Sequence, residues 1–106
     1  MNDKLLSLLG IARRAGRLSL GFDAAADAMQ SGKSKLLILA EDLSERTLRN
    51  ITDTARHTDT RTVVLNISME QLGRSVGKTV GIISVNDEGF AKKLKTLCTE
   101  QTGGMY

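Results

Sequence analysis

The sequence predicts an α/β domain in which helices cover both faces of a four-stranded sheet. Helical and strand-like segments alternate over the whole chain, and alternation at this spacing needs helices on both sides of one sheet. Leu36–Ala40 is continuously apolar, and Val80–Val85 is apolar apart from Gly81 and Ser84. Such runs between helices mark strands buried on both faces. The chain has 106 residues, 41% of them hydrophobic, which suffices for one core and one domain.

Leu5, Leu8, Leu9 and Ala12 recur at helical spacing, with Asp3 placed as an N-cap and Gly16 as a stop. Arg13, Arg14 and Arg17 gather where that helix ends and complement its dipole. Arg17 to Leu20 alternates as a short strand. Gly21 opens a second helix, Phe22 to Gln30, whose alanines favour helix and close packing, and Gly32 ends it. After the strand at 36–40, Ser44 suits an N-cap, and Leu48, Ile51, Thr52 and Ala55 give the helix an inner face. Glu41 and Asp42 read as a loop whose acids cap this helix. Thr62–Asn66 is the next strand, and Met69, Leu72 and Val76 mark a short helix. Beyond the strand at 80–85, Asn86 and Asp87 cap a last helix with Phe90, Ala91, Leu94, Leu97 and Cys98 inside. Residues 99–106 read as a loose tail.

Lys and Arg number 15 against 12 Asp and Glu, a net charge of +3. That permits a polyanionic partner without requiring one. Residues 1–40 carry six basic and three acidic groups, 41–60 three and five, and 61–106 six and four, so no segment is a polybasic arm. The aromatics are Phe22, Phe90 and Tyr106, too few for a stacking platform on single-stranded nucleic acid. Cys98 is the sole cysteine and His57 the sole histidine, so neither a disulfide framework nor a structural Cys/His metal site is expected. The apolar stretch near the start is short, broken by Ser7 and Gly10 and preceded by Asp3. It fits neither a signal peptide nor a membrane span, and the chain reads as cytoplasmic.

No residue set announces catalysis. His57 has no nucleophile in its sequence context, and Cys98 lies on an apolar face as a small core residue. Gly73-Arg74-Ser75-Val76-Gly77-Lys78-Thr79 ends like a phosphate loop but has three residues between its glycines where four are needed. It also leaves a helix and enters a strand, the reverse of the order that aims amides at a phosphate. Glu41 and Asp42 follow a buried strand, where open α/β sheets bind ligands, yet no base or nucleophile accompanies them. Arg17, Lys33, Lys35, Arg74 and Lys78 would form a basic rim around the start of the second helix if their segments converge. The alternative is ordinary solubilising charge.

Three segments stand together in order: Gly21-Phe22-Asp23-Ala24-Ala25-Ala26-Asp27-Ala28, Ser31-Gly32-Lys33-Ser34-Lys35 running on to Ala40-Glu41-Asp42, and Leu72-Gly73-Arg74-Ser75-Val76-Gly77. Over about residues 3–98 the chain resembles the ribosomal protein family of L-seven-Ae and L-thirty-e, the kink-turn RNA binders, and most of all its small bacterial YlxQ-like members. The resemblance implies a three-layer α/β/α sandwich with a mixed sheet, and RNA binding with no catalysis and no cofactor. It implies that Gly21, Phe22, Asp23, Ala24 and Asp27 enter the widened groove of a kink-turn and face its sheared G·A pairs. Lys33 and Lys35 match the family's basic turn, and Glu41 and Asp42 its acidic loop. Leu72, Gly73, Arg74, Ser75, Val76 and Gly77 match a loop that packs against an extruded base. The implied partner is kink-turn or ribosomal RNA, with a ribosomal or other protein as a second candidate and no membrane. Where the family has Asn, Glu and Lys, this chain has Asp23, Ala24 and Asp27. An ionised Asp23 only accepts hydrogen bonds, Ala24 reads nothing, and Asp27 swings the local charge by two toward repulsion of RNA. A protein-interaction module that kept the fold and lost the RNA readout is therefore the alternative expectation.

Overall fold

The computed structural model describes the backbone of residues 3–102 and the side chains of residues 3–98. Its elements are α1 (Asp3–Arg14), β1 (Leu18–Leu20), α2 (Phe22–Gln30), β2 (Leu36–Leu39), α3 (Glu45–His57), β3 (Thr62–Val64), α4 (Met69–Val76), β4 (Ile82–Val85) and α5 (Glu88–Thr102). The sequence-predicted alternation is present element by element, with somewhat shorter strands. Asp3, expected as a cap, lies inside the first turn of α1. Residues 99–102, expected in a tail, continue α5, and 103–106 lie outside the described residues.

The sheet order is β1-β4-β2-β3. β2 pairs parallel with β3, and β4 pairs antiparallel with both β1 and β2, so the sheet is mixed. β1, β2 and β3 therefore run the same way; we call the end where they finish, and where β4 begins, the upper end. Side chains alternate across the sheet. Leu36, Ile38, Ile83 and Val85 join Leu5 and Leu9 of α1, Leu72 and Val76 of α4, and Leu94 and Cys98 of α5 in one core. Leu37, Leu39 and Ile82 join Ala25 and Met29 of α2 and Ile51 and Ala55 of α3 in the other. The result is the three-layer α/β/α sandwich.

Caps fix where the helices start. The Ser44 hydroxyl accepts from the Thr47 amide at 3.2 Å, and Ser68 forms a reciprocal capping box with Gln71. Asp87 Oδ2 accepts from the Phe90 amide at 2.9 Å. Asn86, expected to share that role, instead accepts from the Ser84 hydroxyl at 2.6 Å and donates to Ser19 at 2.8 Å. Ser84 is buried, so this link satisfies a hydroxyl that would otherwise be costly in the core.

Candidate nucleic-acid interface

Three segments meet at the upper end. The Gly21 amide donates to the Ile82 carbonyl at 2.8 Å, and the Ala40 amide to the Gly81 carbonyl at 2.9 Å. The start of α2, the exit of β2 and the entry to β4 are thus neighbours. The Glu41 amide donates to the Ile67 carbonyl at 2.9 Å. Asp42 Oδ1 accepts from the Met69 amide at 2.9 Å. Asp42 therefore serves α4, where it adds an acceptor for the first helical amide beside the Ser68 cap, and not the α3 that follows it in sequence.

Two glycines allow this assembly. A Cβ on Gly73 would lie 2.7 Å from Thr79 Cα and 2.8 Å from the Lys78 carbonyl oxygen, so the 77–79 turn folds back over α4 only without a side chain there. Gly77 ends α4 in the left-handed conformation, φ 95° and ψ 0°. Gly77, Lys78 and Thr79 are exposed.

The start of α2 differs from those of α3, α4 and α5. Gly21 occupies its N-cap at φ 95°, ψ 170°, with no side-chain cap. The first helical bond is Ala25 N–H to Gly21 carbonyl at 3.0 Å, which leaves the amides of Phe22, Asp23 and Ala24 outside the helix ladder. Open amides at the positive end of a helix dipole suit a polar acceptor or an anion. Phe22, Asp23, Ala24 and Asp27 are all exposed. Phe22 lines a shallow groove between α2 and α3 with Asn50, Asp53 and Thr54.

Other expected site residues fall elsewhere. The basic rim does not form. Lys33 and Lys35 follow the C-terminus of α2, and the nine residues of that helix, about 13 Å, separate them from its start. The Lys35 amide donates to the Val85 carbonyl at 2.7 Å and the Asn86 amide to the Arg17 carbonyl at 2.8 Å, which sets Arg17 and Lys35 at the lower end. Arg74 pairs with Glu70 at 3.0 Å and lines a groove against α1 with Ile11 and Arg14. Only Lys78 of the five cations stands in a turn leading to the upper end. The segment 72–77 is not a loop but the second half of α4 and its glycine cap. Leu72, Gly73 and Val76 are buried in it, and Ser75 donates to the Leu6 carbonyl of α1, so only Arg74 and Gly77 are exposed. Thr79 was absent from the expected site and is exposed beside Lys78. The signal for it was the paired glycines at 73 and 77, which demand a tight return of the chain.

The upper end is acidic. Asp23, Glu41, Asp42 and Glu45 are exposed there, against Arg46 and Lys78. Among the described residues no three His, Cys, Asp or Glu gather to hold a metal ion. No described helix is long and apolar enough to cross a membrane.

This sandwich, with an uncapped second helix beside an acidic loop and a glycine-bounded turn, defines a class. The chain belongs to the Ribosomal protein L7Ae/L30e/S12e/Gadd45 family, whose model matches residues 3–95. Among individual proteins it is similar to RNA-binding protein YlxQ of Bacillus subtilis (strain 168), 35% identical over 91 residues that span 85% of this chain and 90% of that one. It is also similar to RNA-binding protein YlxQ of Enterococcus faecium, 31% identical over 95 residues, 90% of this chain and 91% of that one. A solved structure of a protein with unknown function from Bacillus halodurans C matches with a TM-score of 0.83 at 35% identity, over 90% of this chain and 96% of that one.

Proposed function

We propose that the chain is a non-catalytic cytoplasmic RNA-binding protein, associated with ribosomal or other structured RNA, that takes a kink-turn at the upper end of its sheet. The observation that carries the reading is the uncapped start of α2 at Gly21, set beside the Glu41–Asp42 loop and the turn that returns over Gly73. Both relatives named RNA-binding protein YlxQ support RNA as the partner. In this reading the amides of Phe22, Asp23 and Ala24 donate to RNA, and the Asp23 carboxylate accepts from base amino groups. Gly77, Lys78 and Thr79 offer a low surface to an unstacked base. Leu72, Ser75 and Val76 hold that turn rather than touch RNA. Asp42 positions α4, and Glu41 stays open beside it. Recognition is by shape and backbone contact, with Asp23 as the one acceptor for base edges, and no chemical step is involved.

Titration of the protein with a kink-turn RNA and with a matched duplex lacking the kink, at two salt concentrations, tests this. The expected result is tighter binding to the kinked RNA, weakening as salt rises. Equal weak binding to both, or none, would replace it with the protein-interaction reading. That second reading is favoured by Asp23 and Asp27, two exposed anions on the helix that would meet RNA.

A further inference from the structure

An RNA seated at the upper end alone meets more anions than cations. The compensating charge stands at the other end of the sheet. Leu18 of β1 and Leu36 of β2 both lie opposite Val85 of β4. The residues just before them, Arg17 and Lys35, therefore flank the end of β4, two strand spacings or about 10 Å apart. Lys33 belongs to the same turn as Lys35. It lines a groove of about 630 Å³ that follows α2 past Gln30 and Asp27 to Ala24, with Ser19 and Asn86 along its other side. Among the described residues Arg17, Lys33 and Lys35 make no ion pair, whereas Arg56 and Arg74 do. Asp87, at the same end, is engaged by the Phe90 amide; Glu88 beside it is exposed.

We propose that Arg17, Lys33 and Lys35 form a second RNA contact, a patch for backbone phosphates of a stem that runs down α2 from the helix-start site. The partner class rests on the RNA reading above. Unpaired exposed cations bind phosphates through counterion release and carry no base information, so the patch supplies affinity while the upper end supplies selection. The length of α2 decides which RNA engages it. An RNA confined to the kink does not reach the lower turn, and one with a longer stem does.

The triple variant Arg17→Gln, Lys33→Gln, Lys35→Gln removes no buried side chain, and among the described residues the only side-chain hydrogen bond it alters is Lys35 Nζ to the Gly32 carbonyl at 3.5 Å. A thermal melt matching the parent's confirms its fold. Affinity is then measured over a salt series with three RNAs: a kink-turn with minimal stems, the same kink-turn with one stem extended to about 20 base pairs, and a plain duplex of that length. For the long-stem RNA the variant should bind at least about tenfold more weakly at low salt. Its log–log salt slope should fall by about 2 to 3, since each neutralised phosphate accounts for about 0.7–0.9 of the slope. The minimal RNA should bind unchanged, and the plain duplex should weaken in parallel with the long-stem RNA. If the variant matches the parent on both long RNAs, the patch is wrong whatever the kink preference. If the parent shows no kink preference but its duplex binding depends on these residues, the patch stands and the kink-turn reading alone falls. Parent binding to none of the three overturns both.

Discussion

A methyl group at residue 73 would press on three backbone atoms of the 78–79 segment, which cannot rotate away. Gly73→Ala should therefore cost about 1–3 kcal/mol, read as a lower urea midpoint. Gly81 differs: its added Cβ would meet the side chains of Leu43 and Met69, which can shift. At the site itself, Asp23→Asn removes an exposed anion and adds a donor. It should tighten kink-turn RNA binding by about fivefold, the equivalent of about 1 kcal/mol for one screened charge, measured in the same titration. Cys98 carries a different expectation. Burial pushes its thiol up from 9.0 to about 12. The neutral thiol is favoured in the fold, so its contribution is complete below pH 9 and is lost as pH rises from 9 toward 12. Urea midpoints measured across that range should decline, and the native thiol should stay unreactive toward a disulfide reagent near neutral pH. Its core role was readable from its place beside Leu94 and Leu97, because one helical stripe decides it.

Caps divide into local and distant ones, and the sequence exposes only the first kind. Ser44 and Asp87 serve the helices that immediately follow them, and both were legible. Asp42 serves α4, 27 positions away, because strands β2 and β3 bring the two segments to one end. No local pattern announces such a partner. Asp42→Ala should cost about 1 kcal/mol, as loss of an N-cap acceptor does, and should speed hydrogen exchange at the Met69 amide while leaving α3 unchanged. The 72–77 segment shows the opposite case. The stripe of Met69, Leu72 and Val76 marks it as helix, whereas the family resemblance implies a loop, and the local pattern prevails. The basic rim fails for a related reason: it needed Lys33 and Lys35 to converge on the start of α2, and the helix carries them to its far end.

The layered fold was legible because buried strands and amphipathic helices have different periods, and the chain alternates them cleanly. Strand order was not, since β4 enters between β1 and β2 by a long-range choice that no local pattern encodes. That order also separates the charges, with anions prevailing above and free cations below. It has a cost during synthesis as well. Leu18 is translated 67 positions before Val85, the residue it faces. At about 5–20 residues per second the ribosome needs about 3 to 13 s to cover that gap. Through that interval a nascent chain holds β1 without its neighbour in the sheet, and β2 has both flanks open until β3 is made and one open until β4 follows. The strand made first among the four therefore waits longest for its neighbour to be synthesised.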